Sequence, residues 1–185
     1  MTANMTGIRR VEVDFEFEQT TGGGKLGGLR NRFNPADPDL CVVAYVDRRG
    51  VDYVNPKDPN KARILGGAVE HRGDARGNGA ETAFVDLSLI SRENSDVNAF
   101  AFVATCTQGF ARVPGATARI YDASGAERAW IGNVRTQFTA QHKTAVLGVL
   151  YSDGLGWQWV SRARFGYDVD FNSLALLGAG DIPVR

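Results

Sequence analysis

From residue 11 the chain alternates apolar and acidic side chains: Val11, Val13, Phe15 and Phe17 stand between Glu12, Asp14, Glu16 and Glu18. A period of two marks a strand with one buried face, because successive side chains of extended backbone point to opposite sides. The acidic set is expected to face solvent, where its charge would also discourage edge-to-edge pairing. Further strands are predicted at Leu40 to Val46, Val51 to Val54, Ala68 to His71, Thr82 to Leu87 and Ala99 to Cys106. Beyond them come Ala116 to Tyr121, Arg128 to Ile131, Thr144 to Tyr151 and Gly156 to Phe165. Turn residues punctuate these runs at Arg49-Gly50, Asn55-Pro56, Asp122 to Gly125 and Ser152 to Gly154,. Many short strands so separated argue an all-β, antiparallel sandwich or barrel. Helix is expected only as minor pieces, Leu87 to Arg92 and Phe171 to Leu177. Gln19 to Pro38, rich in Gly, Asn and Pro, reads as a long loop.

The 185 residues suit a single domain with a substantial core,. With 21 basic and 21 acidic residues the formal net charge is zero, so no overall field favours nucleic acid or an anionic membrane. The opening stretch MTANMTGIRRVEV lacks the apolar segment of a secretory signal,. No apolar run is long enough to span a bilayer, and a cytoplasmic protein without membrane insertion is expected. Arg9, Arg10, Arg30, Arg32, Arg48 and Arg49 have acidic neighbours and no interleaved aromatics, which reads as solvated surface,.

The two cysteines, Cys41 and Cys106, lie in apolar strand-like runs, where a thiol behaves as a small buried hydrophobe,. Without C-x-x-C spacing, redox or zinc chemistry has no support. Gly22 to Gly27 satisfies G-x-G-x-x-G in form. That motif must open a helix to receive a pyrophosphate, and the stretch after it, with Pro35 and Pro38, has no helical period,. His71 and His142 stand in no metalloprotease motif, and no nucleophile elbow occurs, so enzymatic activity is not expected,. Trp157 and Trp159 share one face of a predicted strand, where burial in a core competes with stacking of a sugar or base,.

Two oxygen-rich turns stand next to predicted strands. Asp37-Pro38-Asp39 precedes one, and Gly73 to Glu81, with Asp74 and Asn78, precedes another. Such turns also suit backbone geometry alone, but carboxylates and carbonyls converging from strand ends can hold Ca²⁺. A longer series of motifs bears on the choice between these readings. Asp37-Pro38-Asp39-Leu40-Cys41, His71-Arg72-Gly73-Asp74, Val85-Asp86-Leu87-Ser88, Gln108-Gly109-Phe110, Ala118-Arg119-Ile120, Gly148-Val149-Leu150-Tyr151 and Gly156-Trp157-Gln158-Trp159 occur in one order. In that order they resemble the tellurium-resistance TerD family of bacterial stress proteins.

The resemblance implies a two-sheet β-sandwich over residues 1–185, family-like over 37–178 and divergent over 8–36. It further implies a non-enzymatic stress or defence protein that acts through protein–protein contacts in a stress-resistance complex. Ca²⁺ would lie in loops at one end, with Asp37, Asp39, Asp74, Asn78 and Glu81 as candidate ligands. The loop after Gly73 is shorter than the family's and lacks most of its carboxylates, which implies a weak or lost site. Arg76, inside that loop, is placed to take a cation's position by pairing with Asp74. Asp86, within a strand, is assigned to backbone bonding. The competing reading is a metal-independent module that stacks a carbohydrate or nucleotide on Trp157 or Trp159.

Overall fold

A computed structural model of the chain describes residues 1–18, 36–72, 80–93, 96–161 and 163–184. Thirteen strands are described there: β1 (Thr2–Asn4), β2 (Arg10–Glu18), β3 (Asp39–Val46), β4 (Arg49–Val54), β5 (Arg63–Ile64), β6 (Val69–His71) and β7 (Ala80–Asp86). They continue with β8 (Ala99–Thr105), β9 (Gly115–Asp122), β10 (Ala129–Gln137), β11 (Thr144–Ser152), β12 (Trp157–Val160) and β13 (Arg164–Gly166). Two short helices accompany them, α1 (Leu87–Glu93) and α2 (Phe171–Ala179).

The strands form two antiparallel sheets packed as a sandwich. One has the order β1-β12-β11-β8-β3-β4 with β13 also on β11, and the other is β10-β9-β2-β7-β6-β5. The predicted strand from Gly156 to Phe165 is split into β12 and β13, which pair with opposite ends of β11. β1, from the opening residues, pairs with β12 and was not foreseen.

The core between the sheets takes one side of each strand. Val11, Val13, Phe15 and Phe17 come from β2, Ala83 and Val85 from β7, Ala118 and Ile120 from β9, and Leu40, Val42, Phe100, Phe102 and Leu147 from the other sheet. β3, β8 and β11 are buried on their second face too. There Val43, Tyr45, Ala101, Val103 and Val149 pack with Leu174 of α2 and with Ile182. Burial on both faces explains why these three strands read as almost unbroken apolar runs instead of alternating ones. Asp170 caps α2 through Ser173 N at 3.1 Å, and Tyr45 donates its hydroxyl to Ala175 O at 3.1 Å. Close approach of the helix is possible because Gly178 has no side chain; a Cβ there would stand 2.2 Å from the Tyr45 hydroxyl.

Three expectations change in the fold. β2 is a central strand, between β9 and β7, so its acidic face guards no edge. Glu12 and Asp14 are buried, and Arg128 pairs with both, at 2.6 Å from Asp14 Oδ2. Arg128 also lies over the Tyr121 ring and Arg119 pairs with Glu16, so ion pairs from β9 and the β9–β10 side cover that face. The β3–β4 turn falls at Asp47-Arg48, both at positive φ, and not at Arg49-Gly50. The Asn98 side chain braces it, accepting from Asp47 N and donating to Asp47 Oδ1. Gly50 lies within β4 beneath α2, where a Cβ would meet that of Ala175 at 2.5 Å. Lastly, Trp159 is fully buried and Trp157 half-buried with its ring stacked on Phe100, so neither is an open platform. The exposed indole is that of Trp130.

A bulge in β11 between Val146 and Gly148 lets the Trp159 indole, held by Nε1 on Ser161 Oγ at 2.7 Å, lie directly on the Gly148 backbone. A Cβ at Gly148 would meet Trp159 Cζ2 at 2.3 Å. Gly148→Ala is therefore expected to destabilise the fold by about 1–3 kcal/mol through overpacking, measured by chemical denaturation. An unchanged midpoint would show that the indole can move aside.

Candidate metal centre at one end of the sandwich

Asp39 opens β3 and faces Thr105 of β8 in register, so it stands where the inter-sheet core ends. Its side chain is 3% exposed. Glu81, fully buried, lies on the opposite sheet in β7 with its side chain turned inward like those of Ala83 and Val85. It reaches across the sandwich, and its Oε2 accepts a hydrogen bond from Leu40 N at 2.5 Å. One carboxylate thus ties the start of β3 to the other sheet.

Two further residues complete the cluster. His71, buried at the end of β6, holds Nε2 3.3 Å from Glu81 Oε2 without hydrogen-bond geometry. Lys57, from the turn after β4, places Nζ 2.6 Å from Asp39 Oδ2, 3.7 Å from Asp37 Oδ2 and 3.4 Å from the Asp37 carbonyl. Neither residue was named as part of a site by the sequence. His71 belonged to a matched motif, whereas Lys57 follows Asn55-Pro56 with no cue beyond turn chemistry.

Asp37, Asp39 and Glu81 are therefore brought to one end of the sandwich, while Asp74 and Asn78, with Arg76, fall outside the described residues. Among the described residues, the cation that meets Asp39 is Lys57. Asp86 takes the role assigned to it: Oδ1 accepts from Ser88 N at 3.0 Å and Leu89 N at 3.2 Å, capping α1. The glycine run at Gly22 to Gly27 also lies outside the described residues.

The donor chemistry suits a hard cation in part. Asp37 Oδ1, Asp39 Oδ1 and Glu81 Oε1 are buried and have no hydrogen-bond partner. Unpaired carboxylate oxygens in a dry site are costly, and an oxygen-seeking ion such as Ca²⁺ would satisfy them. Among the described residues, however, no group of three or more His, Cys, Asp or Glu side chains is placed to hold a metal ion.

Burial pushes the Asp39 carboxyl up from 3.8 to about 6; Lys57 opposes the rise, while Glu81 and Asp37 add to it. Burial likewise pushes the Cys41 thiol up to about 12, and that of Cys106 upward. Both thiols are buried and unpaired. Such thiols are poor nucleophiles, since the thiolate is the reactive form.

No protein-family model matches the chain, and no curated protein matches it significantly. Solved structures do. The crystal structure of a protein of unknown function, SAV2460, superposes with a TM-score of 0.64 at 18% identity, covering 93% of this chain and 98% of that one. A homologue of telluride resistance protein (TerD), SCO6318 from Streptomyces coelicolor A3(2), superposes with a TM-score of 0.61 at 16% identity, covering 91% and 96%. The chain therefore has a β-sandwich fold of a divergent TerD-like kind. Among the described residues, no helix is long and apolar enough to cross a membrane.

Two outcomes follow from these environments. A carboxyl pKa raised in the native state means that its charged form costs stability above about pH 6, and that the cost fades as pH falls towards 4,. Compared with Asp39→Asn, the wild-type protein should gain roughly 1.4 kcal/mol for each full pH unit of fall between about 6 and 4, and nothing above about pH 6,. A stability difference that is flat from pH 7 to 4, in urea melts at roughly half-unit steps, would contradict the assigned burial. Cys41 and Cys106 should label slowly with a thiol reagent in native buffer and fast in denaturant; rapid native labelling of both would mean that this end of the sandwich opens.

Proposed function

We propose that the protein is a non-enzymatic stress or defence protein of TerD type that acts by protein–protein contact, with a weak Ca²⁺ site at the mouth of its sandwich. The observation that carries this reading is the meeting of Asp37, Asp39 and Glu81, each with an unpaired buried carboxylate oxygen, at one end of a TerD-like fold. The telluride-resistance description attached to SCO6318 supports the same biological setting.

In this reading a bound cation draws the turn at Asp37 towards β7, orders the neighbouring loops and so presents or withdraws a surface for a partner protein. Asp37, Asp39 and Glu81 would supply oxygens, with Asp74 and Asn78 as the remaining candidates. The ion's own contribution is charge neutralisation and cross-linking of two sheets. Tellurite is neither reduced nor ligated by the protein, since its two thiols are buried and not vicinal. The working compartment is the cytoplasm.

A site of low carboxylate count falls in the range of roughly 10⁻⁴ to 10⁻³ M for Ca²⁺. Ligand that binds only the native state stabilises it by RT ln(1 + [L]/Kd), so Ca²⁺ at about tenfold above Kd adds about 1.4 kcal/mol. The melting temperature should therefore rise in millimolar Ca²⁺, and Mg²⁺, which gives up its waters reluctantly, should do less. Asp39→Asn should abolish the rise. A melt indifferent to Ca²⁺ in the wild-type protein would remove the calcium part of the reading.

A further inference from the structure

We propose that the outer face of the sheet built on β2, β7 and β6 carries a pocket for a small organic anion, in which the Arg10 guanidinium receives a carboxylate or phosphate group. The pocket owes nothing to the calcium reading: it opens on the face of β7 opposite to Glu81.

Phe84 and Asp86 alternate along β7 with the core residues Ala83 and Val85, and so point outwards. In register, Glu12 of β2 and Glu70 of β6 flank Phe84, and Arg10 of β2 stands opposite Asp86. The turn between β5 and β6 and the first residues of α1 enclose this patch as a cavity of about 290 Å³, with Arg10, Arg63, Gly67, Glu70, Phe84 and Asp86 among its walls. The turn passes through three successive positive φ values, 52° at Leu65, 66° at Gly66 and 93° at Gly67. A Cβ at Gly67 would stand 3.3 Å from Arg63 Cδ. Its absence leaves room for the Arg63 stem beside the turn, from which its guanidinium meets Glu70 at 3.0 Å.

The charges of the lining are unevenly satisfied. Glu70 is engaged by Arg63. Asp86, although opposite Arg10, is turned to α1, where Oδ1 accepts from Ser88 N, Ser88 Oγ and Leu89 N. Glu12 belongs to Arg128. Arg10 is the cation left over. Its guanidinium lies 4.3 Å from the centre of the Phe84 ring, and its Nε is buried with no hydrogen-bond partner among the described residues. Arg72 adds a second guanidinium 4.2 Å from the same ring centre. Arg10, Arg63 and Arg72 thus face Glu70 and Asp86, three positive charges against two negative.

A guanidinium is a planar fork of donors that matches a carboxylate or phosphate edge with two parallel hydrogen bonds, and it keeps this capacity while stacked on an aromatic ring. A donor left unpaired away from water is costly, so an oxyanion at Arg10 relieves a demand that the fold leaves open. The cavity is near the lower end of the roughly 300–1,000 Å³ usual for ligand sites. It is larger than one oxyanion needs, and Phe84 and Leu89 give it an apolar side for a small organic body. In the sequence Arg10 has no aromatic neighbour within the turn-rich basic stretch; the fold supplies Phe84 from a different strand.

The test uses benzoate and phenyl phosphate as probes, with benzyl alcohol as the uncharged counterpart, at constant ionic strength. Binding is followed by calorimetry and by the Nε–Hε resonance of Arg10 in an NMR titration of the full chain. Both anions should bind saturably and move that resonance, and benzyl alcohol should bind far more weakly. Arg10→Gln should weaken both anions about tenfold or more, the loss expected for a charge-assisted hydrogen bond. Arg119→Gln, which removes a guanidinium paired with Glu16 on the same sheet outside the pocket, should keep the wild-type Kd. If Arg10→Gln does not fold, Arg10→Lys, which keeps the charge and loses the planar fork, should still weaken both anions severalfold. Tighter binding of phenyl phosphate would assign the pocket to phosphate esters and tighter binding of benzoate to carboxylates; either upholds the proposal. No saturable binding of either anion to the wild-type protein, an unchanged Kd in the Arg10 variants, an equal loss in Arg119→Gln, or benzyl alcohol binding as tightly as the anions would overturn it.

Discussion

Everything in this molecule depends on two sheets sharing one dry core, and on how that core is closed where the strands run out. Along the middle of the sandwich the solution is ordinary packing: β2, β7 and β9 set Val, Phe, Ala and Ile against the Leu, Val and Phe side chains of β3, β8 and β11. Burial of that apolar area is the main favourable contribution to the fold. At the end where β3 begins, apolar closure stops and Glu81 bridges the sheets to Leu40 N. A carboxylate in that position satisfies an otherwise unpaired backbone donor, yet imports charge into a place with little water. Asp39 and Asp37 add to the same charge, and the Lys57 ammonium lies against both.

The two outer faces meet their own constraints differently. On one sheet, α2 covers the centre and makes the sandwich locally three-layered, with glycines at 50 and 178 allowing close contact. On the other, among the described residues, Glu12, Asp14 and Glu16 of β2 are covered by guanidinium groups instead. Arg128 and Arg119 pair with Glu12, Asp14 and Glu16, while Arg10 and Arg72 both lie over the Phe84 ring. Paired charges of this sort leave little net field. That agrees with the neutral composition,.

The mouth of the sandwich is thus the place where the fold carries unresolved electrostatic demand. A raised Asp39 pKa and three orphaned oxygens are two expressions of it. The Lys57 ammonium, 2.6 Å from Asp39 Oδ2, meets part of that demand.

The sequence by itself determined much of the architecture. Period-two alternation located β2, unbroken apolar runs located β3, β8 and β11, and turn residues set most strand limits, because these signals act over a few neighbouring residues. Both helices were legible for the same reason. So were the aspartates at 37 and 39, since they precede a strand whose direction fixes where they end up. What only the tertiary structure decided involves partners distant in the chain. Gly50 served helix packing instead of a turn, the acidic face of β2 was met by arginines more than 100 positions away, and Trp159 needed the bulge at Gly148 to be buried. Lys57 is the clearest instance. Nothing in Asn55-Pro56-Lys57-Asp58 marks a lysine as the counter-ion of Asp39, because ion pairing in a site of low water content is set by the position of charges in space, and local sequence carries no record of that distance.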